Sequence, residues 1–324
     1  MKDTILLFIF GLILLIKGGD WFVDGATKIA RRFKIPEIIV GATVVSIGTT
    51  LPEVMVSVSG ALGGQGSMAY GNAIGSIICN TSLIAALTIA IKPGKVETKT
   101  LVVPTVFFFA ASAIYLVSAY IFGYFYRWVG ILLLLVFLAY MFLTVRSGLK
   151  NREIEISETE EDQPSEKSPL WLEIGLLVAG AAVIAVGADL LVDNGTIIAR
   201  ELGVPETVIA LTFVALGTSL PELVTAITSL AKGHGSLSLG NVIGANIFNL
   251  VLVSGASITL APFAVPVGNE IFGINSSLVL DIPLMLAVMA FMILPTFFTK
   301  KLSRYQGIVL LAVYAAFCTL QFVL

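Results

Sequence analysis

The run from Gly18 to Glu53, GGDWFVDGATKIARRFKIPEIIVGATVVSIGTTLPE, recurs without a gap from Gly187 to Glu222 as GADLLVDNGTIIARELGVPETVIALTFVALGTSLPE. A second run, GNAIGSIICN at 71–80, recurs at the same offset of 169 residues as GNVIGANIFN at 240–249, with six of ten positions identical. Asp20 therefore corresponds to Asp189, Asp24 to Asp193 and Pro36 to Pro205. A fixed offset kept over so much of the chain marks a duplicated structural unit.

The unit is a membrane unit. Of the 324 residues, 57% are hydrophobic and only 12% charged. A soluble domain keeps about a quarter of its residues charged, so this balance points to an integral membrane protein. Spans of about 20 predominantly apolar residues are expected at 4–24, 36–61, 68–91, 101–121, 128–147, 170–192, 205–230, 237–260, 276–297 and 305–323. The predicted fold is thus all-α, ten transmembrane helices in two copies of five. Five is odd, so the second copy must cross in the opposite sense, giving an inverted-topology repeat. Such repeats with interrupted helices are typical of secondary transporters, which bind their ions near mid-membrane between the copies.

Three segments follow: a first half at 1–147, an acidic linker at 148–169 and a second half at 170–324. Cytoplasmic loops collect Lys and Arg. Placing the N-terminus outside puts fifteen basic residues inside, Arg31, Arg32, Lys92, Lys300 and Lys301 among them. Lys2, Arg127 and Arg200 alone then lie outside, with Lys17 undecided. The expectation is a multi-pass protein of the plasma (inner) membrane with its linker in the cytoplasm. The first apolar run lacks a basic leader and a cleavage site, and reads as a retained helix. A net charge of -2 gives no reason to invoke nucleic acid, and nothing implies an obligate protein partner. Cys79 and Cys318 read as small buried hydrophobes.

The repeated motif carries the chemistry. Pro52 lacks an N–H and its ring crowds the residue four before it, so the helix is expected to bend near Gly48 and free carbonyls around Ser46–Gly48. Thr49, Thr50 and Glu53 lie within one turn of each other, able to gather oxygens beside those carbonyls. Pro221 is expected to repeat the arrangement with Ala215–Gly217, Thr218, Ser219 and Glu222. Asn72, Ser76 and Asn80 recur every four residues, on one helix face. Their counterparts are Asn241, Ala245 and Asn249. Gly71 and Gly75, like Gly240 and Gly244, have the small-residue spacing that allows close helix approach.

Two carboxylates about 5 Å apart repel by about 3 kcal/mol at an effective dielectric of 20, on top of the cost of intramembrane charge. One is protonated, or a cation lies between them. The oxygens on offer are hard, with no thiolate or imidazole, which suits Ca2+, Na+ or Mg2+ and disfavours zinc or copper. The strict geometry of Mg2+ leaves Ca2+ favoured by a flexible cage.

With these residues in view, two copies of a G-T-S-x-P-E-like motif, each followed by G-N-x-I-G-[SA], resemble the α-repeats of the calcium/cation antiporter superfamily. The nearest branch is that of the YrbG-like prokaryotic sodium/calcium exchangers. The resemblance spans nearly the whole chain. It implies Glu53 and Glu222 as central Ca2+ and Na+ ligands, with Thr49, Thr50, Thr218 and Ser219 supplying hydroxyl or carbonyl oxygens. It further implies that Ser76, Asn80 and Asn249 complete the sites and that the carbonyls of Ser46 and Ala215 cap sodium positions. Alternating access, with the first and sixth helices sliding as gates, comes with it. Some relatives carry Asp where this chain has Asn249, which argues against K+ co-transport. Some carry Ser where it has Ala245, which puts sodium affinity or stoichiometry in question.

The function expected is Na+/Ca2+ antiport that expels cytoplasmic Ca2+, with no cofactor. H+/Ca2+ exchange and K+-dependent exchange are the alternatives, and a cation channel is the alternative of another class. An intramembrane enzyme is not expected, since the spans hold no His and no Ser–Lys dyad. The remaining polar residues read blandly: a solvated linker, His234 as a turn residue, Glu37 and Glu206 complementing helix starts, and Asp20, Asp24, Asp189 and Asp193 as interfacial anchors near helix ends. Asp281 has no counterpart in the first copy.

Overall fold

The computed structural model describes residues 2–156, 169–202, 217–267, 270–271 and 273–323. Ten helices appear among them: α1 (Lys2–Phe33), α2 (Glu37–Leu62), α3 (Gly66–Ile91), α4 (Thr98–Phe122), α5 (Arg127–Ile156), α6 (Leu170–Glu201), α7 (Leu220–Ala231), α8 (Gly235–Leu260), α9 (Ser277–Thr299) and α10 (Arg304–Val323). Eight are long and apolar enough to cross a membrane, and Leu220–Ala231 and Arg304–Leu320 are shorter apolar helical stretches among the described residues. Three two-residue ribbons trim the ends: Gly94–Lys95 with Lys301–Leu302, Tyr124–Phe125 with Phe263–Ala264, and Glu270–Ile271 with Ile274–Asn275.

The helices outrun the expected spans at several ends. At 1.5 Å per residue, α1 is about 48 Å long, well beyond a hydrocarbon core of about 30 Å. Asp20 and Asp24 therefore lie inside α1 rather than at its end. Both are ion-paired with Lys232 just after α7, at 3.3 and 2.8 Å. Partial burial works against the charge of Lys232, but Asp24 and Asp20 outweigh it and hold the ammonium above its ordinary range. α5 continues to Ile156, into the expected linker segment, through Lys, Arg and Glu, all good helix formers. The acidic residues 157–168 and the pair Pro205 and Glu206 lie outside the described residues.

Helices α1 and α6 pack antiparallel through glycine. Gly11 abuts Gly187, Gly18 abuts Ile184 and Gly180, and Gly25 abuts Leu177. A Cβ on Gly18 would stand 2.8 Å from the Ile184 nitrogen, and one on Gly25 2.6 Å from the Leu177 nitrogen. Without side chains the two backbones gain dispersion contact that lipid cannot supply. Arg32 clamps the end of this pair, its Nε and Nη2 donating to both oxygens of Glu173 at 2.7 and 2.9 Å. The main core lies elsewhere, among α3, α4, α5, α8 and α9, around Ile77, Phe108, Tyr115, Phe248 and Met289.

Candidate functional site

The helix carrying the first motif is continuous from Glu37 to Leu62, but Gly41–Val45 form a wide π turn. The loosening thus falls a turn earlier than the expected bend at Gly48, where a Cβ would stand 3.1 Å from the Phe22 ring. The Ser46 hydroxyl holds the wide turn, donating to the carbonyl of Gly41 at 2.8 Å. In the second copy the geometry differs again. Thr218 and Ser219 form a turn, α7 starts at Leu220, and Pro221 sits in its first turn, where the missing N–H costs nothing. Glu222 is consequently in the first turn of α7, at the positive end of the helix.

Two further π turns begin at candidate ligands. One runs from Asn80 to Ala85 in α3 and the other from Asn249 to Val253 in α8. Asn80 and Asn249 are counterparts in the two copies, so the duplicated sequence repeats its irregular backbone as well. Single π turns inside helices are frequent at functional sites because they rotate side chains out of register.

These elements bury most of the expected residues. Ser46, Thr49, Thr50, Glu53, Ser76, Asn80, Ser219, Glu222 and Asn249 are all buried, and Thr218 is half-buried. Ala215 lies outside the described residues. Glu53 and Glu222, one from each copy, are both 0% exposed. The Thr50 hydroxyl of the first copy reaches Glu222 Oε1 of the second at 3.5 Å. Both oxygens of Glu53, Oε2 of Glu222 and the side-chain amides of Asn80 and Asn249 have no hydrogen-bond partner among the described residues. Buried polar groups are normally paired, and these are grouped on the two copies of one motif.

Helix approach follows the small residues. A Cβ on Gly240 would collide with the carbonyl of Ile38, and one on Gly244 would lie 2.7 Å from Ala42 Cα. α8 is thereby seated against the π turn of α2. The segment expected to face Gly71 and Gly75 in the same way falls within 203–216, outside the described residues.

Two residues of the polar stripe do more than the sequence reading assigned them. Asn241 Oδ1 accepts from Thr49 Oγ1 at 3.2 Å, and Asn72 Oδ1 accepts from Thr218 Oγ1 at 3.2 Å. Asn72 Nδ2 also donates to the Glu53 carbonyl at 3.2 Å and to Ser57 Oγ at 2.8 Å. The signal was present, since an asparagine stands second in each copy of the second motif. Away from the site, His234 precedes α8, as a turn residue should, and its Nδ1 lies 2.8 Å from Glu37 Oε1. Asp281 closes a π turn in α9. Cys79 is buried, whereas Cys318 is only partly so, because it lies near the end of the peripheral α10.

Comparison with known proteins gives a consistent picture. Residues 4–146 and 172–323 match the family model described as sodium/calcium exchanger protein. The chain is 35% identical to the uncharacterized membrane protein MJ0091 of Methanocaldococcus jannaschii, covering 95% of this chain and 94% of that one. It is 31% identical to the sodium/calcium exchanger MaX1 of Methanosarcina acetivorans, covering 98% of each. Among solved structures it is similar to the sodium-calcium exchanger NCX_Mj soaked with Na+ and Sr2+, with a TM-score of 0.79, 32% identity and 97% of each chain covered.

Proposed function

The chain belongs to the sodium/calcium exchanger protein family, and from that premise we propose how it exchanges Na+ for Ca2+. Glu53 and Glu222 are the charged ligands. Thr49, Thr50, Thr218, Ser219, Ser76, Asn80 and Asn249 are neutral oxygen donors around them, with the carbonyls of Ser46 and Ala215 capping sodium positions. The observation that carries this reading is the pair of fully buried carboxylates, with the unpaired amides of Asn80 and Asn249, on the two copies of one duplicated sequence. Ca2+ takes about 6–8 hard oxygens, and two carboxylates balance its charge. Two Na+ balance the same carboxylates, so the ions compete for one pair of charges and the protein exchanges them rather than carrying both.

The ten helices form two inverted five-helix repeats, with the N-terminus outside and the segment 148–169 in the cytoplasm. The antiparallel seat of α1 on its counterpart α6 supports this arrangement. So does the Arg32–Glu173 clamp, which ties the two into a unit able to slide as the gate in alternating access. Reconstituted vesicles test the reading: 45Ca2+ uptake should follow an outward Na+ gradient and ignore an imposed pH gradient. Uptake driven by the pH gradient, without Na+, would replace this reading with H+/Ca2+ exchange.

A further inference from the structure

A hydroxyl that binds a cation must send its proton elsewhere. Thr49 and Thr218 are counterparts in the duplicated chain, and so are Asn72 and Asn241. The two threonine–asparagine bonds cross between the copies: Thr49 donates to Asn241, and Thr218 donates to Asn72, each at 3.2 Å. The direction of the second bond is set by chemistry. Asn72 Nδ2 faces the carbonyl of Glu53, which can only accept, so Oδ1 is the atom turned toward Thr218 and the hydroxyl must be the donor.

From this crossed pair we infer that Asn72 and Asn241 are positioning residues for sodium. Each accepts the hydrogen bond of the opposite copy's threonine hydroxyl and leaves that oxygen with its lone pairs free for the ion. The inference rests on the exchange reading above and adds to it two residues with a role and a partner each. Asn72 is held for this task by Ser57 at 2.8 Å, beside the backbone of Glu53. The counterpart of Ser57 is Ala226, and Asn241 Nδ2 has no partner among the described residues.

The test is a pair of double-mutant cycles on the full-length protein in vesicles, reading the half-saturating Na+ concentration for 45Ca2+ exchange. Asn72→Ala and Thr218→Val should each raise it about five-fold, the effect of one lost hydrogen bond, and the double variant should be no worse than either single. Asn72→Ala combined with Thr49→Val should instead multiply the two effects, because those residues do not pair. Asn241→Ala with Thr49→Val gives the mirror cycle, which stands if Asn72→Ala fails to elute as a folded monodisperse protein. Half-saturating Ca2+ should stay within about two-fold, since the carboxylates dominate its binding. A penalty from either asparagine that persists undiminished when its partner threonine is valine would overturn the inference while leaving exchange intact. A wild-type protein with no Na+-dependent Ca2+ flux would overturn the exchange reading, and this inference with it.

Discussion

Glu53→Gln keeps the shape of the side chain and removes its charge, as does Glu222→Gln. Either variant should fold and should lose Ca2+ exchange to background, because a divalent ion facing one carboxylate in a site closed to water keeps an unbalanced charge. Wild-type 45Ca2+ flux in either would break the site assignment. Position 245 tests the neutral ligands. Ser76 offers a hydroxyl from the first copy, and its counterpart Ala245, also buried, offers none. Ala245→Ser restores an oxygen worth about 1 kcal/mol, so the half-saturating Na+ concentration should fall several-fold, with little change for Ca2+. An unchanged Na+ dependence would remove position 245 from the sodium site. The carboxylates were legible because charge and proline inside an apolar run are costly and stand out twice. The Thr49–Asn241 and Thr218–Asn72 bonds were not legible, because a contact between copies leaves no spacing along the chain.

Among elements, the α1–α6 seat depends on bare backbone. A Cβ on Gly180 would stand 2.5 Å from the Phe22 nitrogen, whereas one on Gly175, in the same helix, would meet nothing within 4 Å. Gly180→Val should therefore push the helices apart and destabilise the protein by about 1–3 kcal/mol. Gly175→Ala should be neutral or stabilising by up to about 1 kcal/mol, since alanine is the better helix former. Thermal unfolding in detergent separates the two, and a Gly180→Val melting temperature equal to wild type would mean that α1 does not rest on α6. Helices as such were readable from apolar length. The π turns at Gly41–Val45, Asn80–Ala85 and Asn249–Val253 were not, because a residue added to one turn leaves composition and hydropathy unchanged. The start of α7 was missed for a related reason: Pro52 and Pro221 sit in nearly identical sequences, yet one lies inside a helix and the other in a first turn.

For the whole molecule, the duplication constrains orientation as well as fold. In the proposed inverted repeat, two copies of an odd number of spans face opposite ways, so loops that are counterparts lie on opposite sides of the membrane. Their charges must then diverge, because Lys and Arg are retained on the cytoplasmic side and lost from the other. The chain shows this divergence. The loop with Lys28, Arg31, Arg32 and Lys34 corresponds to one holding Arg200 alone among basic residues, and the ribbon strand Lys301–Leu302 between α9 and α10 takes the place of Tyr124–Phe125, beside Arg127, between α4 and α5. Lys301 and Arg127 are both exposed, so the sidedness can be read directly. In a variant with Cys79 and Cys318 replaced by alanine, Arg127→Cys should react with a membrane-impermeant thiol reagent in intact cells. Lys301→Cys should react only after permeabilisation. Both reacting from outside would contradict the inverted repeat, since it places these two turns on opposite faces. The reverse pattern would keep the repeat and invert the protein, and with it the side from which Arg32, Lys232 and His234 are reached.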